Sequence, residues 1–523
     1  MNSSSSTSSS GLQFTHPHLA VVLGGGFTGM LAAAALSAHA DVIVVERDRL
    51  PRTPALPTDL PQARHAHLLA AEGARLVDAL LPGSVDGWLA EGARRIPLPA
   101  ELAAGSPQGW LGRRRSPYLV ACSRDLLDRV VRRQVPALPG VSVLDGTEAE
   151  GLTGTAEHVT GVRVRDTTTG ETYRLDADLV IDATGRHSTT QDRLTALGLP
   201  AACEDVSDPG IVSATRIFRA PEGTENVPVL TSRTRLTTPA PGQRTAGRPV
   251  PSRTATLVPI EGGRWLVTLT GTGDEHPTEH ANRFVPFARR TGNSAIGDLI
   301  AGAEPLSEVR LARDTSNRRR RYEQLASWPT GFIALGGAVV SVSPDFGQGL
   351  SIAAHSAAAL RETLRRHGMD DAGIARKVQR TIGRIVQGPW SLATGEDLHS
   401  PTLGRAAVCR AYVDVVASCA RTAPFPHPSA ALGLLRARTT APIRPASGGS
   451  PGWEEPAIAV PAPLPAAAES ASATGARSAA AAGASPAVAA LPAVSRRRPR
   501  TLGLGPTARW RFNGASRRKP GDD

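Results

Sequence analysis

A single glycine fingerprint constrains the fold of this chain more than any other feature. The apolar stretch Leu19–Leu23 predicts a short strand that runs directly into a Gly-x-Gly-x-x-Gly motif. Gly24 allows a tight turn, Gly26 lets the backbone approach a pyrophosphate, and Gly29 lets a helix pack on the strand. A second strand ends at Glu46, 17 residues beyond the last glycine, where a carboxylate can accept ribose hydroxyls. These features predict a dinucleotide site at the N-terminus of a helix.

Length and composition bound the class of protein. At 523 residues the chain is longer than a single hydrophobic core usually supports, so we expect two or more domains. No apolar run approaches the roughly 18 to 20 residues that span a bilayer, and residues 1–7 lack the pattern of a secretory signal. The cysteines are scattered without a Cys-x-x-Cys pair, which favours a cytoplasmic location without a metal site or disulfide framework. They are Cys122, Cys203, Cys409 and Cys419.

The net charge of +12 does not predict a nucleic-acid partner, because half of it lies in one terminal segment. Residues 441–523 contain 11 basic and 5 acidic side chains, a net charge of +6. This segment is of low complexity and rich in alanine, proline, serine and arginine, a composition that cannot bury a core. We therefore expect a solvated tail rather than a nucleic-acid-binding surface.

The order of predicted elements indicates an α/β fold with a Rossmann-like nucleotide-binding domain, an inserted antiparallel β-sheet substrate domain and C-terminal helices. Alternating polar and apolar residues between Pro200 and Asn317 predict the inserted sheet. Residues 1–15 and 439–523 are expected to be disordered. The expected bounds are 16–80, 118–199 and 325–365 for the nucleotide-binding domain, 81–117 and 200–324 for the substrate domain, and 366–438 for the C-terminal helices.

Local patterns predict several individual elements. Apolar residues at helical spacing predict a helix over residues 68–81 and another after Ser123, whose side chain is a typical N-cap. Residues 332–336 predict a buried strand, and residues 349–364 predict the helix that follows it.

Three separated segments, 24–46, 178–188 and 332–350, occur in the order typical of one enzyme superfamily. With them, residues from about 19 to 400 resemble the group A flavoprotein monooxygenases of the para-hydroxybenzoate hydroxylase fold. The resemblance implies FAD as the cofactor, with Gly-Asp and Pro-x-x-Gly-x-Gly motifs in the third segment that cradle the flavin. The cofactor-binding positions that the resemblance implies here are Gly185, Gly336, Gly337, Pro344, Gly347, Gln348 and Gly349.

A narrower resemblance rests on six motifs that occur in order along the chain. Together they are similar to the polyene epoxidases of polyether ionophore biosynthesis, of the monensin and lasalocid type. By this resemblance Arg124 contacts the ribose or pyrophosphate of the flavin, and a loop with Arg64, His65 and His67 lies near the isoalloxazine. The motifs occupy residues 61–67, 121–128, 180–188, 214–221, 259–265 and 267–272.

The resemblance implies a FAD-dependent monooxygenase that epoxidises alkenes of a linear polyketide polyene through a C4a-hydroperoxyflavin, in polyether antibiotic biosynthesis. NAD(P)H, directly or through a flavin reductase, and O2 are the expected co-substrates, and the polyene is either free or carried on an acyl carrier protein. An alkene has no acidic proton to remove, so we expect no classical side-chain catalyst. His65 and His67 are candidates for a polar contact beside the flavin, and the alternative is that they are histidines at a helix start or on the surface. We expect an apolar slot on the inserted sheet, with Phe218 and Trp265 either lining it or packing in the core.

Alternatives stay open at several points. Gly337 stands where the superfamily has an aspartate that hydrogen-bonds the ribityl chain, which leaves a flavin-poor, non-catalytic polyene-binding protein as one alternative. An alkene reductase similar to geranylgeranyl reductases is another, and oxygen consumption distinguishes it. A flavin halogenase is excluded, since the sequence lacks its lysine and its Trp-x-Trp-x-Ile-Pro motif. The basic run 318–321 suits an acidic carrier protein or NADPH, but a solvated charged face is the favoured interpretation.

Overall fold

The computed structural model describes residues 15–50, 65, 67–97, 118–225, 227–235, 252–343 and 348–394. The expected C-terminal helices beyond residue 394 and the low-complexity tail lie outside these residues. The strands are β1 Leu19–Leu23, β2 Asp41–Glu46, β3 Leu68–Ala70, β4 Arg94–Pro97, β5 Tyr118–Ala121, β6 Val141–Asp145, β7 Thr147–Gly154, β8 Val159–Asp166, β9 Thr172–Asp176, β10 Leu179–Asp182, β11 Glu204–Ser207, β12 Ile211–Arg219, β13 Leu230–Arg235, β14 Ser252–Ile260, β15 Arg264–Thr272, β16 Arg310–Ala312, β17 Asn317–Arg320, β18 Phe332–Ala334 and β19 Val340–Ser341. The helices are α1 Phe27–Leu36, α2 Ala71–Leu80, α3 Ser84–Ala90, α4 Arg124–Gln134, α5 Thr190–Ala196, α6 Ala281–Arg289, α7 Ala295–Ala301, α8 Gly349–His367 and α9 Ile374–Thr394.

A five-stranded parallel sheet in the order β18-β10-β1-β2-β6 forms the centre of the nucleotide-binding half. Its short apolar strands are almost entirely buried, as parallel sheets covered by helices require. Helix α1 packs on β1 and β2 and against α8, while the antiparallel sheet β7-β8-β9 packs beside β2 and β10. The turn after β1 therefore lies at the carboxyl edge of the sheet, where doubly wound folds bind nucleotides. The predicted Rossmann-like class is confirmed.

A second five-stranded sheet is antiparallel, in the order β13-β14-β15-β12-β16, and confirms the predicted insertion. One face of this large sheet packs against α6 and α7 in a separate hydrophobic core. Phe218 of β12 and Phe284 of α6 meet there with ring centroids 5.8 Å apart. The two helices thus close one face, and the other face is turned to the nucleotide-binding half.

A small antiparallel sheet, β3-β5-β4, joins the two halves and corrects one sequence prediction. The expected helix over residues 68–81 is helical only from Ala71 to Leu80, because Leu68–Ala70 forms strand β3. The cause is tertiary: β3 pairs with β5, and Leu68 and Ala121 of this sheet pack with Val258 and Leu266 of the large sheet. Helical spacing cannot reveal a partner strand that lies about fifty residues further along the chain.

The basic run 318–321 is partly buried. Strand β17 is the central strand of the sheet β11-β17-β19, and α9 packs on it. Arg319 and Arg320 are only 2% and 8% exposed. The prediction of a solvated charged face is therefore wrong for Arg319 and Arg320, whereas Arg318 and Arg321 are partly exposed. All four arginines form ion pairs. The pairs are Arg318–Glu204, Arg319–Glu323, Arg320–Glu204 and Arg321–Asp205.

In the part of the chain that the structure describes, no helix combines the length and the apolar character that crossing a membrane requires.

Candidate cofactor and substrate site

The turn after β1 packs tightly against neighbouring backbone on one side and leaves open space on the other side. Gly24 has a φ of +99°, and a Cβ there would lie 2.7 Å from the carbonyl oxygen of Ala183. A Cβ at Gly29 would lie 1.8 Å from the carbonyl oxygen of Gly24, so α1 can approach β1 only through glycine. At Gly26 a Cβ would meet nothing within 4 Å among the described residues. The open side faces the N-terminus of α1, where a pyrophosphate would bind.

Glu46 lies beside this turn at the carboxyl end of β2. Its Oε2 accepts a hydrogen bond from the backbone N–H of Gly25 at 2.6 Å, and its Oε1 accepts one from Asp48 at 2.9 Å. These two bonds fix the carboxylate and leave lone pairs for further donors. The position of the Glu46 carboxylate is compatible with a contact to ribose hydroxyls, and that contact stays a prediction.

Two arginines of α4 face the same turn. The guanidinium carbon of Arg124 is 5.3 Å from the ring centroid of Phe27, and Arg132 Nε donates to the carbonyl oxygen of Gly25 at 3.4 Å. Asp128, which is 1% exposed, lies between them: Oδ1 is 2.8 Å from Arg124 Nε, and Oδ2 is 3.8 Å from Arg132 Nη2. Sequence reasoning identified Arg124 and missed Arg132. The signal was available, because residues spaced four apart share one helix face.

The start of α4 is anchored to the large sheet. Ser123 Oγ accepts from the backbone N–H of Leu126 at 3.1 Å, which confirms the predicted N-cap. The backbone N–H and the hydroxyl of Ser123 donate to the two carboxylate oxygens of Glu261 at 2.9 and 2.6 Å. Glu261 lies in the turn between β14 and β15, so the sheet is bonded to the helix that carries Arg124.

Burial raises the pKa of the adjacent Cys122 well above its usual value, which keeps this thiol neutral.

The strand end at Asp182 forms a tightly bonded polar turn. Asp182 is fully buried and accepts from the Ser188 hydroxyl at 2.7 Å and from the backbone N–H and hydroxyl of Thr184 at 2.8 and 2.6 Å. The turn continues through Gly185, whose φ is +85°. A Cβ at Gly337 would lie 3.0 Å from the Cα of Gly185. Position 337 is therefore packed closely against backbone, which must shift by a few tenths of an ångström to admit a side chain.

We expect the Gly337→Asp substitution to weaken FAD binding rather than to improve it. An added Cβ lies 3.0 Å from Gly185 Cα and 3.1 Å from Arg186 N, so the backbone must move, at a cost of about 1–3 kcal/mol. A fluorescence titration with FAD, together with the melting temperature of the FAD-free protein, measures both effects. Gly337→Ala isolates the contribution of the Cβ. An Asp variant that binds FAD more tightly than the natural chain would contradict this expectation.

The third segment contributes a turn and a helix start. Gly336, with φ +56°, packs so closely on α1 that a Cβ would lie 2.7 Å from Thr28 Cγ2. Gln348 precedes α8, and its carbonyl oxygen accepts from Ile352 at 2.9 Å. Gly349 begins α8, and among the described residues nothing lies within 4 Å of a Cβ built there. The remaining predicted positions, Arg64, Pro344 and Gly347, lie outside the described residues.

His65 lies between the two halves of the protein. Its side chain is 3% exposed, and its Nδ1 is 2.8 Å from Thr215 Oγ1 on β12. His67 is partly buried and directly precedes β3, which packs against α8. Three residues span at most about 10 Å, so His65 lies within that distance of β3 along the chain. The structure thus brings His65 to the large sheet.

The face of the large sheet that meets His65 carries a row of threonines. Residues directly opposed across antiparallel strands share a face. The row across β12, β15, β14 and β13 is Thr215, Thr268, Thr256 and Thr231. Phe218 and Trp265 project to the opposite face, where they are 2% and 0% exposed in the core against α6 and α7. The two aromatic candidates are therefore core residues, and the contact of His65 on this sheet is a threonine hydroxyl.

The comparison with protein families agrees with this architecture. The profile described as "FAD binding domain" matches residues 19–373, more than half of the chain. The chain belongs to the FAD-binding-domain family. Membership supports FAD as the cofactor, and it confirms the resemblance to group A flavoprotein monooxygenases at the level of superfamily and fold.

Individual relatives of this FAD-binding-domain protein are more distant. Protein Rv3254 of Mycobacterium tuberculosis is 29% identical over 385 residues, which cover 71% of this chain and 78% of that protein. The structure of PqsL, a probable FAD-dependent monooxygenase from Pseudomonas aeruginosa, is 17% identical, with a TM-score of 0.53 over 75% of this chain and 99% of PqsL. The flavin-dependent brominase Bmp2 is 14% identical, with a TM-score of 0.51 over 81% of this chain and 98% of Bmp2. At these identities the two structures share the fold.

Proposed function

We propose that this chain is a FAD-dependent monooxygenase that epoxidises alkenes of a linear polyketide polyene in polyether antibiotic biosynthesis. The observation that carries the proposal is that hydrogen bonds join the nucleotide-binding half to the large antiparallel sheet. They connect His65 with Thr215 and Ser123 with Glu261. Such bonds hold a cofactor and a second ligand in fixed relation, as oxygen transfer between them requires. The order of the epoxidase-like motifs supports the alkene as the group that reacts.

The residues present fit FAD. Gly26 and Gly349 leave open space at two helix starts, Arg124 and Arg132 bring two positive charges to the first of them, and Glu46 offers a fixed carboxylate. Amides at a helix start and guanidinium groups are the usual partners of phosphates. We propose that these residues hold the cofactor, together with Gly24, Gly29, Gly185, Gly336 and Gly337. When bound and reduced, FAD supplies the oxygen-activating chemistry.

The overall reaction consumes one alkene, one O2, one NAD(P)H and one proton, and it yields one epoxide, one water and one NAD(P)+. The electrons come from NAD(P)H directly or through a flavin reductase. The chain itself binds and orients the polyene, which is either free or carried on an acyl carrier protein, and excludes water. Thr215 and Thr268, only 2% and 7% exposed, show that the sheet face near His65 is shielded from solvent.

Oxygen consumption separates this function from alkene reduction. The FAD-loaded protein is incubated with NADPH, a flavin reductase and a linear polyene ester under labelled O2. We expect products that gain one labelled oxygen atom per alkene, with no reaction under argon. Addition of two hydrogens without O2 would contradict the proposal and favour a reductase, and a FAD-loaded protein that leaves every polyene unchanged would favour a binding protein. Gly26→Ala, which we expect to bind FAD weakly, is the matched control.

A further inference from the structure

A chain of three hydrogen-bonding groups connects the loop before β3 with the large sheet. His65 Nδ1 is 2.8 Å from Thr215 Oγ1, and Thr215 Oγ1 is 2.8 Å from Thr268 Oγ1. All three side chains are buried, with exposed fractions of 3%, 2% and 7%. Buried hydrogen bonds are not exchanged with water, so this chain constrains the imidazole more than a surface contact would.

The contact with Thr215 sets the direction of the His65 ring. The two nitrogens of an imidazole lie on opposite edges of the ring. Because Nδ1 contacts Thr215 on the sheet, Nε2 points away from the sheet. The sheet face that carries Thr215 is the one turned to the nucleotide-binding half, because neighbouring Ile217 on that face packs with Leu68 and Ala121 of the small sheet. Nε2 is therefore directed to the space between the sheet and the nucleotide-binding half.

The orientation of the Thr215 hydroxyl is linked to whether that nitrogen donates or accepts. A threonine hydroxyl has one proton, so Thr215 can donate to only one of its two neighbours at a time. If it donates to His65 Nδ1, the neutral ring carries its proton on Nε2. If it donates to Thr268, it accepts from Nδ1–H, and Nε2 of the neutral ring becomes an acceptor. Each orientation of the Thr215 hydroxyl thus matches one tautomer of His65, and exchange between the two also requires the ring proton to move from one nitrogen to the other.

We propose that Thr215 is a positioning residue, which holds His65 in one orientation and, with Thr268, fixes the tautomer that its Nε2 presents to the site. This inference rests on the proposed function for its catalytic meaning. The positioning itself is a property of the FAD-free protein. His65 then differs from a surface histidine in two ways: its ring has one orientation, and its proton is held on one of the two ring nitrogens.

The test uses full-length protein labelled with 15N in histidine, with no FAD added. The His65 signals are identified by their loss in His65→Gln, and the shifts of Nδ1 and Nε2 report the tautomer. Thr215→Val keeps the shape of the side chain and removes its hydroxyl, so we expect the His65 nitrogen shifts to change. Thr215→Ser is expected to restore them. Thr153→Val, at a similar threonine pair between β7 and β8, is the matched control and should change nothing at His65.

Activity gives a second readout. In FAD-loaded protein we expect Thr215→Val to lower kcat about two- to tenfold, the range for one lost hydrogen bond, with the FAD affinity unchanged and Thr215→Ser close to the natural chain. His65 nitrogen shifts that are identical in Thr215→Val and the natural chain would overturn the inference, provided that the melting temperature shows a folded variant. If the natural chain proves to have no oxygenase activity, the proposed function fails, and the nitrogen shifts still decide whether Thr215 positions His65.

Discussion

Gly29→Ala is expected to destabilise the nucleotide-binding half strongly. The added methyl carbon would lie 1.8 Å from the carbonyl oxygen of Gly24, and the nearby atoms are backbone rather than a flexible side chain. Either α1 moves away from β1 or the turn opens, and both disrupt the buried contact between these elements. We expect a loss of about 3 kcal/mol or more in the free energy of unfolding, at the upper end of overpacking effects. Urea denaturation of the FAD-free protein, followed by circular dichroism, measures it.

Gly26→Ala is the matched control for this substitution. It places the same methyl group three residues earlier, where the described residues leave open space. The FAD-free protein should therefore keep the stability of the natural chain, while its FAD affinity falls because the methyl group enters the phosphate-binding space. Equal stability of the two variants would show that the contact between Gly29 and Gly24 is not the constraint that the structure indicates.

Arg319→Met is expected to be the most destabilising change outside the glycine turn. Arg319 is 2% exposed and bonds to Glu323 at 2.8 Å and to the Gln387 side chain at 2.6 Å. Methionine fills much of the space but leaves the Glu323 carboxylate, whose side chain is 15% exposed, without its cation. Removing one partner of a buried ion pair costs about 3–5 kcal/mol, because the remaining charge stays desolvated. The midpoint of urea denaturation reports this loss.

Two further variants distinguish a buried pair from a general effect of losing an arginine. The double variant Arg319→Met with Glu323→Leu removes both charges and should recover most of the lost stability. Arg365→Met breaks the exposed pair with Glu362 on α8 and should leave the denaturation midpoint unchanged. A single Arg319→Met variant as stable as Arg365→Met would mean that loss of the buried pair with Glu323 does not destabilise the fold.

Much of the nucleotide-binding half could be predicted from the sequence, because its signals are local. One example is the strand Leu19–Leu23, which is followed by the glycine turn at Gly24 and then by α1. These three elements depend on residues that are close in the chain. The same is true of the N-cap at Ser123, which needs only a hydroxyl before a helical pattern. The inserted sheet was also predictable, since its strands alternate over their own lengths.

What the sequence did not reveal depends on contacts between distant segments. Strand β3 exists because β5 lies beside it, and the burial of Arg319 follows from the packing of α9 on β17. The threonine row is a product of register across four strands, and no single strand shows it. Whether Phe218 lines a substrate slot or packs in the core stayed open for the same reason, since the side of a strand that faces the core is decided by its partners.

The central claim is that this fold binds FAD, and a fluorescence titration of the full-length protein with FAD tests it most directly. We expect saturable binding to one site in the natural chain, and an affinity at least about tenfold lower in Gly26→Ala at unchanged melting temperature. Absence of saturable binding by the folded natural chain would contradict the account, whatever the substrate is.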